Sequence, residues 1–175
     1  MWEREKWKRW GRRASIAVSV LVLAPAGARA GDSGSNVRLV HVVEKASVAR
    51  ALDGAARKLA LPECQSLLDE FKDASGQPLR AALQASGLSA PEYLGWIFFY
   101  DASPSLCRTS ALALTQPGSR AVLVCGPRFV RQMSSDSRHA EGTLIHEFLH
   151  SLGLGENPPS SDAINERVRA RCQQR

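Results

Sequence analysis

Residues 143–157 read TLIHEFLHSLGLGEN. Ile145, Leu149 and Leu152 fall at i, i+4 and i+7, the spacing of an apolar stripe along one helix face. His146, His150 and Gly153 repeat that spacing one residue later. A helix that buries the first stripe therefore turns the second toward a cleft. Upstream, Ser135, Asp136 and Ser137 are N-cap candidates, and downstream Gly153 suits a left-handed C′ position that stops the helix. Gly155 adds backbone freedom, so the chain can reverse and bring Glu156 back toward the two histidines.

His146-Glu147-Phe148-Leu149-His150 is an H-E-x-x-H pattern. Imidazoles one helical turn apart can hold one zinc ion together, and a water at a remaining zinc position is acidified to a pKa of about 7. Glu147, beside the first histidine, is placed to take a proton from that water. A third ligand has two candidates, Glu156 in the reversing loop and Glu166 in a later helix. Ser161 or Asp162 caps that later helix, which runs to about Cys172 with Ile164, Val168 and Cys172 as its core face. Glu166 then lies roughly 200° around the wheel from Ile164 and faces solvent, which favours Glu156. His139, seven residues before His146, reads as a rim residue. Tyr100 and Arg138 are both candidates to face an oxyanion, and spacing assigns neither.

The segment resembles the zincin metallopeptidases, most closely the metzincin branch with its H-E-x-x-H-x-x-G-x-x-H pattern. His146, Glu147, His150 and Gly153 match position for position, and Glu156 stands where the third ligand is expected. The resemblance implies that His146, His150 and Glu156 bind zinc, that Glu147 is the general base, and that the chain hydrolyses peptide bonds. It covers about a dozen residues. Glu replaces the usual last His or Asp, although a carboxylate can ligate zinc at about 2.0–2.2 Å. No methionine follows His150, and Met133 lies upstream, so the methionine turn of that branch is missing. Glu166 would be the ligand in the arrangement of the gluzincin branch.

Outward from this segment, the rest of the chain reads as α+β, a small mixed sheet with flanking helices. Residues 37–43 alternate like a strand and include His41 as a structural residue. Residues 45–61 carry Val48, Leu52, Ala55 and Leu59 at helical spacing. Pro62 opens a second helical stretch with Cys64, Leu67, Leu68 and Phe71, and Pro78 a third. Residues 94–100 (LGWIFFY) read as a buried strand. Residues 111–115 and 120–125 are strands around Gln116-Pro117-Gly118-Ser119, which is type II turn chemistry. A two-residue loop there sets Cys125 opposite Ser110, so a Cys107–Cys125 bond needs a bulge or a chain reversal. Residues 121–125 are also the expected edge for an extended peptide to pair with.

Residues 1–30 read as a cleaved secretory signal peptide and residues 31–175 as a single domain. A basic, Trp-rich stretch is followed by an apolar run from Ala14 and by Ala28-Arg29-Ala30, which fits a small-residue cleavage site. That run is shorter than the roughly 20 residues a membrane crossing takes, so no stable membrane anchor is expected after cleavage. The formal net charge is +6, but residues 1–30 hold seven basic and two acidic residues. The remainder carries 16 basic against 15 acidic groups, which gives no basic face for nucleic acid. The expected location is secreted or periplasmic. There the four cysteines pair, as Cys107–Cys125 and Cys64–Cys172 in the favoured connectivity. A free Cys64 acting as a propeptide switch is the less favoured alternative.

These observations lead to an exported zinc-dependent metallopeptidase with Zn2+ as cofactor and a peptide or protein as substrate. A secreted, zinc-stabilised binding or assembly module without turnover is the second expectation, and a metal-free, disulfide-stapled interaction domain the third.

Overall fold

A computed structural model describes residues 39–41 and 43–173, with side chains from residue 43 onward. The expected leader, its cleavage site and the polar start of the mature chain lie outside the described residues. No helix among the described residues is long and apolar enough to cross a membrane.

The architecture is α+β. Among the described residues, four short strands, β1 (Leu39–His41), β2 (Phe98–Asp101), β3 (Ala113–Thr115) and β4 (Ala121–Val124), form one mixed sheet in the order β1-β2-β4-β3. β1 and β4 each run parallel to β2, and β3 runs antiparallel to β4. Parallel neighbours need a crossover; the one between β1 and β2 is helical, and the one between β2 and β4 passes through β3. α1 (Lys45–Leu59), α2 (Pro62–Gln65), α3 (Leu67–Glu70), α4 (Leu79–Ser86) and α5 (Ala90–Gly95) all lie between β1 and β2. After β4 come α6 (Gly126–Ser135), α7 (Ser137–Ser151) and α8 (Ser161–Cys172).

Strand alternation sends Phe99, Val122 and Val124 to the buried face, where they join Val48, Leu52, Leu144, Ile145, Phe148 and Leu149 in one core. α7 lies at the centre, packed on α1, α6, α8 and β3. Its apolar stripe is as expected: Ile145, Leu149 and Leu152 are all buried. The α8 stripe Ile164, Val168 and Cys172 is buried too. Tyr93 of α5 braces α7 through an edge-on ring contact with Phe148 at 5.8 Å and a hydroxyl hydrogen bond of 3.2 Å to the Ser151 carbonyl.

Several expectations need correction. Residues 94–100 are not one strand. Ser89 and Glu92 close a capping box that starts α5, which takes Leu94 and Gly95 into a helix, and β2 begins only at Phe98. The S-x-x-E spacing was the available signal. α6 has no counterpart among the expected elements, although Pro127 in its first turn marks a helix start. α8 is capped by Ser160 rather than by Ser161 or Asp162. The type II turn chemistry holds, with Gly118 at φ +77 and Ser119 N–H donating to the Gln116 carbonyl at 2.9 Å. The hairpin register, however, slips by two residues from the two-residue-loop expectation: Thr115 faces Val122, and Cys125 N–H donates to Leu112 at 2.9 Å. A type II turn does not match hairpin twist. The loop is instead drawn toward α7, where Gly118 N–H donates to the His150 carbonyl at 2.8 Å. Finally, residues 121–125 are not an edge. β4 sits between β2 and β3, so β3 is the edge on that side.

Both favoured disulfides are present, Cys64–Cys172 and Cys107–Cys125. The second uses a chain reversal, a 3₁₀ turn at Leu106–Arg108. The guanidinium of Arg128 ties that loop to α6 by donating to the carbonyls of Cys107, Thr109 and Ala111.

Candidate metal centre

α7 starts where Asp136 accepts a hydrogen bond of 3.2 Å from the His139 N–H through its side chain, so the middle of the three cap candidates is the one used. The helix ends in a Schellman motif. Leu154 N–H donates to the Leu149 carbonyl at 3.2 Å and Gly153 N–H to the His150 carbonyl at 2.9 Å, with Gly153 at φ +109. Leu149 and Leu154 are both buried, which supplies the apolar contact that accompanies this motif. The reversal has a chemical result: it sets the Leu154 carbonyl 2.7 Å from His150 Nδ1.

A carbonyl oxygen only accepts, so Nδ1 of neutral His150 carries the proton and Nε2 keeps its lone pair. His146 is held in the same sense, with Nδ1 2.9 Å from Asn165 Oδ1 of α8. The two Nε2 atoms then face one another at 2.9 Å. Two lone pairs at that separation repel unless a cation or a proton lies between them. Nitrogens this far apart can each stand about 2.0–2.1 Å from one shared ion. Glu156 completes the group, and the ligand atoms of His146, His150 and Glu156 all lie within 4.8 Å of one another. Both histidines are buried and Glu156 is exposed, so the group opens to solvent on one side. These three residues can hold a metal ion, and the donor set of two imidazoles and a carboxylate suits zinc among other divalent ions.

Glu147 is buried beside them, 5% exposed, and its Oε2 has no hydrogen-bond partner among the described residues. Burial pushes its carboxyl up to about 8, opposed by the nearby Thr115 side chain of β3 and helped by the charge of Glu156. Burial, then the charge of His150, pulls His146 down to about 4, against the Asn165 hydrogen bond and Glu156, which act in the other direction. In both cases burial is the largest cause. A buried carboxyl with an unpartnered oxygen is a group whose ionised form a nearby positive charge would stabilise.

The other expected residues lie elsewhere. Glu166 is exposed and lines a cleft with Lys72, Arg167 and Arg171, so Glu156 is the carboxylate that joins the histidines. His139 and Arg138 are exposed at the start of α7, about two turns from His146. Tyr100 lies on β2, with β4 between it and the β3 edge, and by alternation faces away from buried Phe99. Sequence reading missed Leu154, Asn165 and Thr115. Leu154 was within reach, because a Schellman turn at Gly153 returns the next carbonyl to the last helical turn. The chain matches no family model, no curated protein and no solved structure.

Proposed function

We propose that the chain is an exported, zinc-dependent metallopeptidase of zincin type. The observation that carries this reading is the cluster of His146, His150 and Glu156, whose ligand atoms lie within 4.8 Å of one another with the two Nε2 atoms 2.9 Å apart; Glu147, the neighbour of His146 in the chain, is buried with its Oε2 unpartnered among the described residues. A zinc ion held there supplies Lewis acidity toward a carbonyl oxygen and acidity to a water. His146, His150 and Glu156 hold it through two nitrogens and one oxygen. Glu147 accepts the proton of the attacking water and delivers it to the leaving amine.

An extended peptide adds to the open edge of β3, antiparallel or parallel, with its backbone bonded to the strand. Thr115 at the end of that strand reaches Glu147, so the edge leads to the proposed base. The two disulfides support an oxidising compartment, secreted or periplasmic.

The test is elemental analysis together with a peptide-library cleavage assay on the wild type, Glu147→Gln and His146→Ala, with and without a chelator. One zinc per wild-type chain, chelator-sensitive cleavage and loss of both metal and cleavage in His146→Ala are expected. Stoichiometric zinc with no cleavage of any library member would replace the enzyme by a zinc-stabilised binding module. Cleavage that survives chelation would remove the zinc mechanism.

A further inference from the structure

We propose that Asn165 is the residue that positions His146 as a metal ligand, accepting its Nδ1 proton so that Nε2 keeps its lone pair for the ion. This rests on the metal-site reading above and goes beyond it, because it assigns the control of one ligand to a different helix.

The two histidines are supported unequally. His150 receives its acceptor from its own segment, the Leu154 carbonyl four residues on, fixed by the Schellman turn. A main-chain carbonyl cannot present a donor, so that ring has one orientation. His146 receives its acceptor from a side chain 19 residues away in sequence, at 2.9 Å. An amide has two ends. With Oδ1 toward the ring, the His146 proton sits on Nδ1 and both Nε2 lone pairs face the metal position. With the NH2 group toward the ring, the proton moves to Nε2 and donates across 2.9 Å to His150, which closes the pair against a cation. The Asn165 amide therefore selects between an open and a closed ligand pair.

The helix that carries Asn165 is firmly anchored. Ser160 caps its start, Ile164 and Val168 are buried against the core, and Cys172 at its end is bonded to Cys64. Gln173, just after it, donates to the Arg138 carbonyl at 2.8 Å and ties α8 to the start of α7. Loss of the hydrogen-bond partner of a metal-ligating histidine typically costs about 10–100-fold in metal affinity.

The experiment measures zinc affinity by competition with a chromophoric chelator for full-length wild type, Asn165→Leu and Asn165→Asp. Ring-nitrogen NMR of His146 is recorded on the same samples. Asn165→Leu, close in volume but without an acceptor, is expected to weaken zinc binding about 10–100-fold. Asn165→Asp keeps the acceptor and is expected to bind at least as tightly as wild type, with His146 protonated at Nδ1 in both. Thermal melts of the metal-free variants are expected to stay close to wild type. Equal zinc affinity in the Leu variant, or an Asp variant as weak as the Leu variant, overturns the assignment. If Asn165→Leu does not fold, Asn165→Ala replaces it in the same comparison with Asp. A wild type without stoichiometric zinc defeats the metal-site reading itself. A wild type with zinc and an indifferent Asn165 defeats only this step.

Discussion

At the scale of single residues, the proposed chemistry rests on Glu147. Its carboxylate is buried with one oxygen unpartnered, so replacing it by the nearly isosteric Gln removes the acceptor and leaves the ligands in place. Glu147→Gln is expected to retain one zinc per chain and lose about 10²–10⁴-fold in cleavage rate, read by elemental analysis and peptide turnover. Unchanged turnover would remove Glu147 as the base. The same burial makes a pH prediction for the metal-free protein. His146, depressed to about 4 from 6.5, contributes stability that is present above 6.5 and lost as pH falls toward 4. Glu147, raised to about 8 from 4.5, contributes stability that is present below 4.5 and lost as pH rises through 8. The two slopes oppose one another between 4.5 and 6.5, and above 6.5 only the Glu147 loss remains. Chelated wild type is therefore expected to lose stability from pH 6.5 to 8 by up to about 1.4 kcal/mol per pH unit, a loss absent in chelated Glu147→Gln. Urea unfolding at several pH values checks it, and parallel profiles for the two proteins would refute it.

At the scale of elements, the end of α7 joins stability to ligand geometry. Gly153 has φ +109, and a Cβ there would stand 3.3 Å from Asp73 Cβ. Gly153→Ala is expected to cost about 1–2 kcal/mol, because an L side chain is strained at positive φ. It should also weaken zinc binding, because the turn that aims the Leu154 carbonyl at His150 would open. Denaturant unfolding and chelator competition measure the two effects, and a variant that loses stability while binding zinc as before would uncouple them. The helix stop was legible in the sequence because a glycine after an apolar stripe is a local signal. The register of the β3–β4 hairpin was not. Its turn chemistry is local, but the loop is held by the His150 carbonyl, which belongs to a helix that starts only after β4 and α6.

At the scale of the whole molecule, the disulfides close loops of very different length. Cys64 and Cys172 are 108 residues apart, Cys107 and Cys125 only 18. Loop-closure entropy predicts that losing the first costs about 4–5 kcal/mol and losing the second about 3 kcal/mol. Paired Cys→Ser variants compared by urea unfolding give the order, and a larger loss for the short loop would show that native contacts rather than chain entropy dominate. The long bridge has a second effect, since it ties α8 to α2 and so anchors the helix that carries Asn165. The Cys64/Cys172 variant is accordingly expected to bind zinc more weakly than the Cys107/Cys125 variant.

The sequence by itself determined the α7 helix, its two stripes, its stop at Gly153, the pair of imidazoles with their neighbouring acid and the apolar face of α8, while of three possible cysteine connectivities it favoured the one the structure shows. Each depends on spacing within a turn or two of helix, or on a small set of pairings. Tertiary structure alone decided that Asn165 meets His146, that Thr115 lies near Glu147, and that β3 rather than β4 is the edge. Each of these depends on how distant elements pack around α7, and that packing is set by the summed burial of many side chains, which no short stretch of sequence encodes.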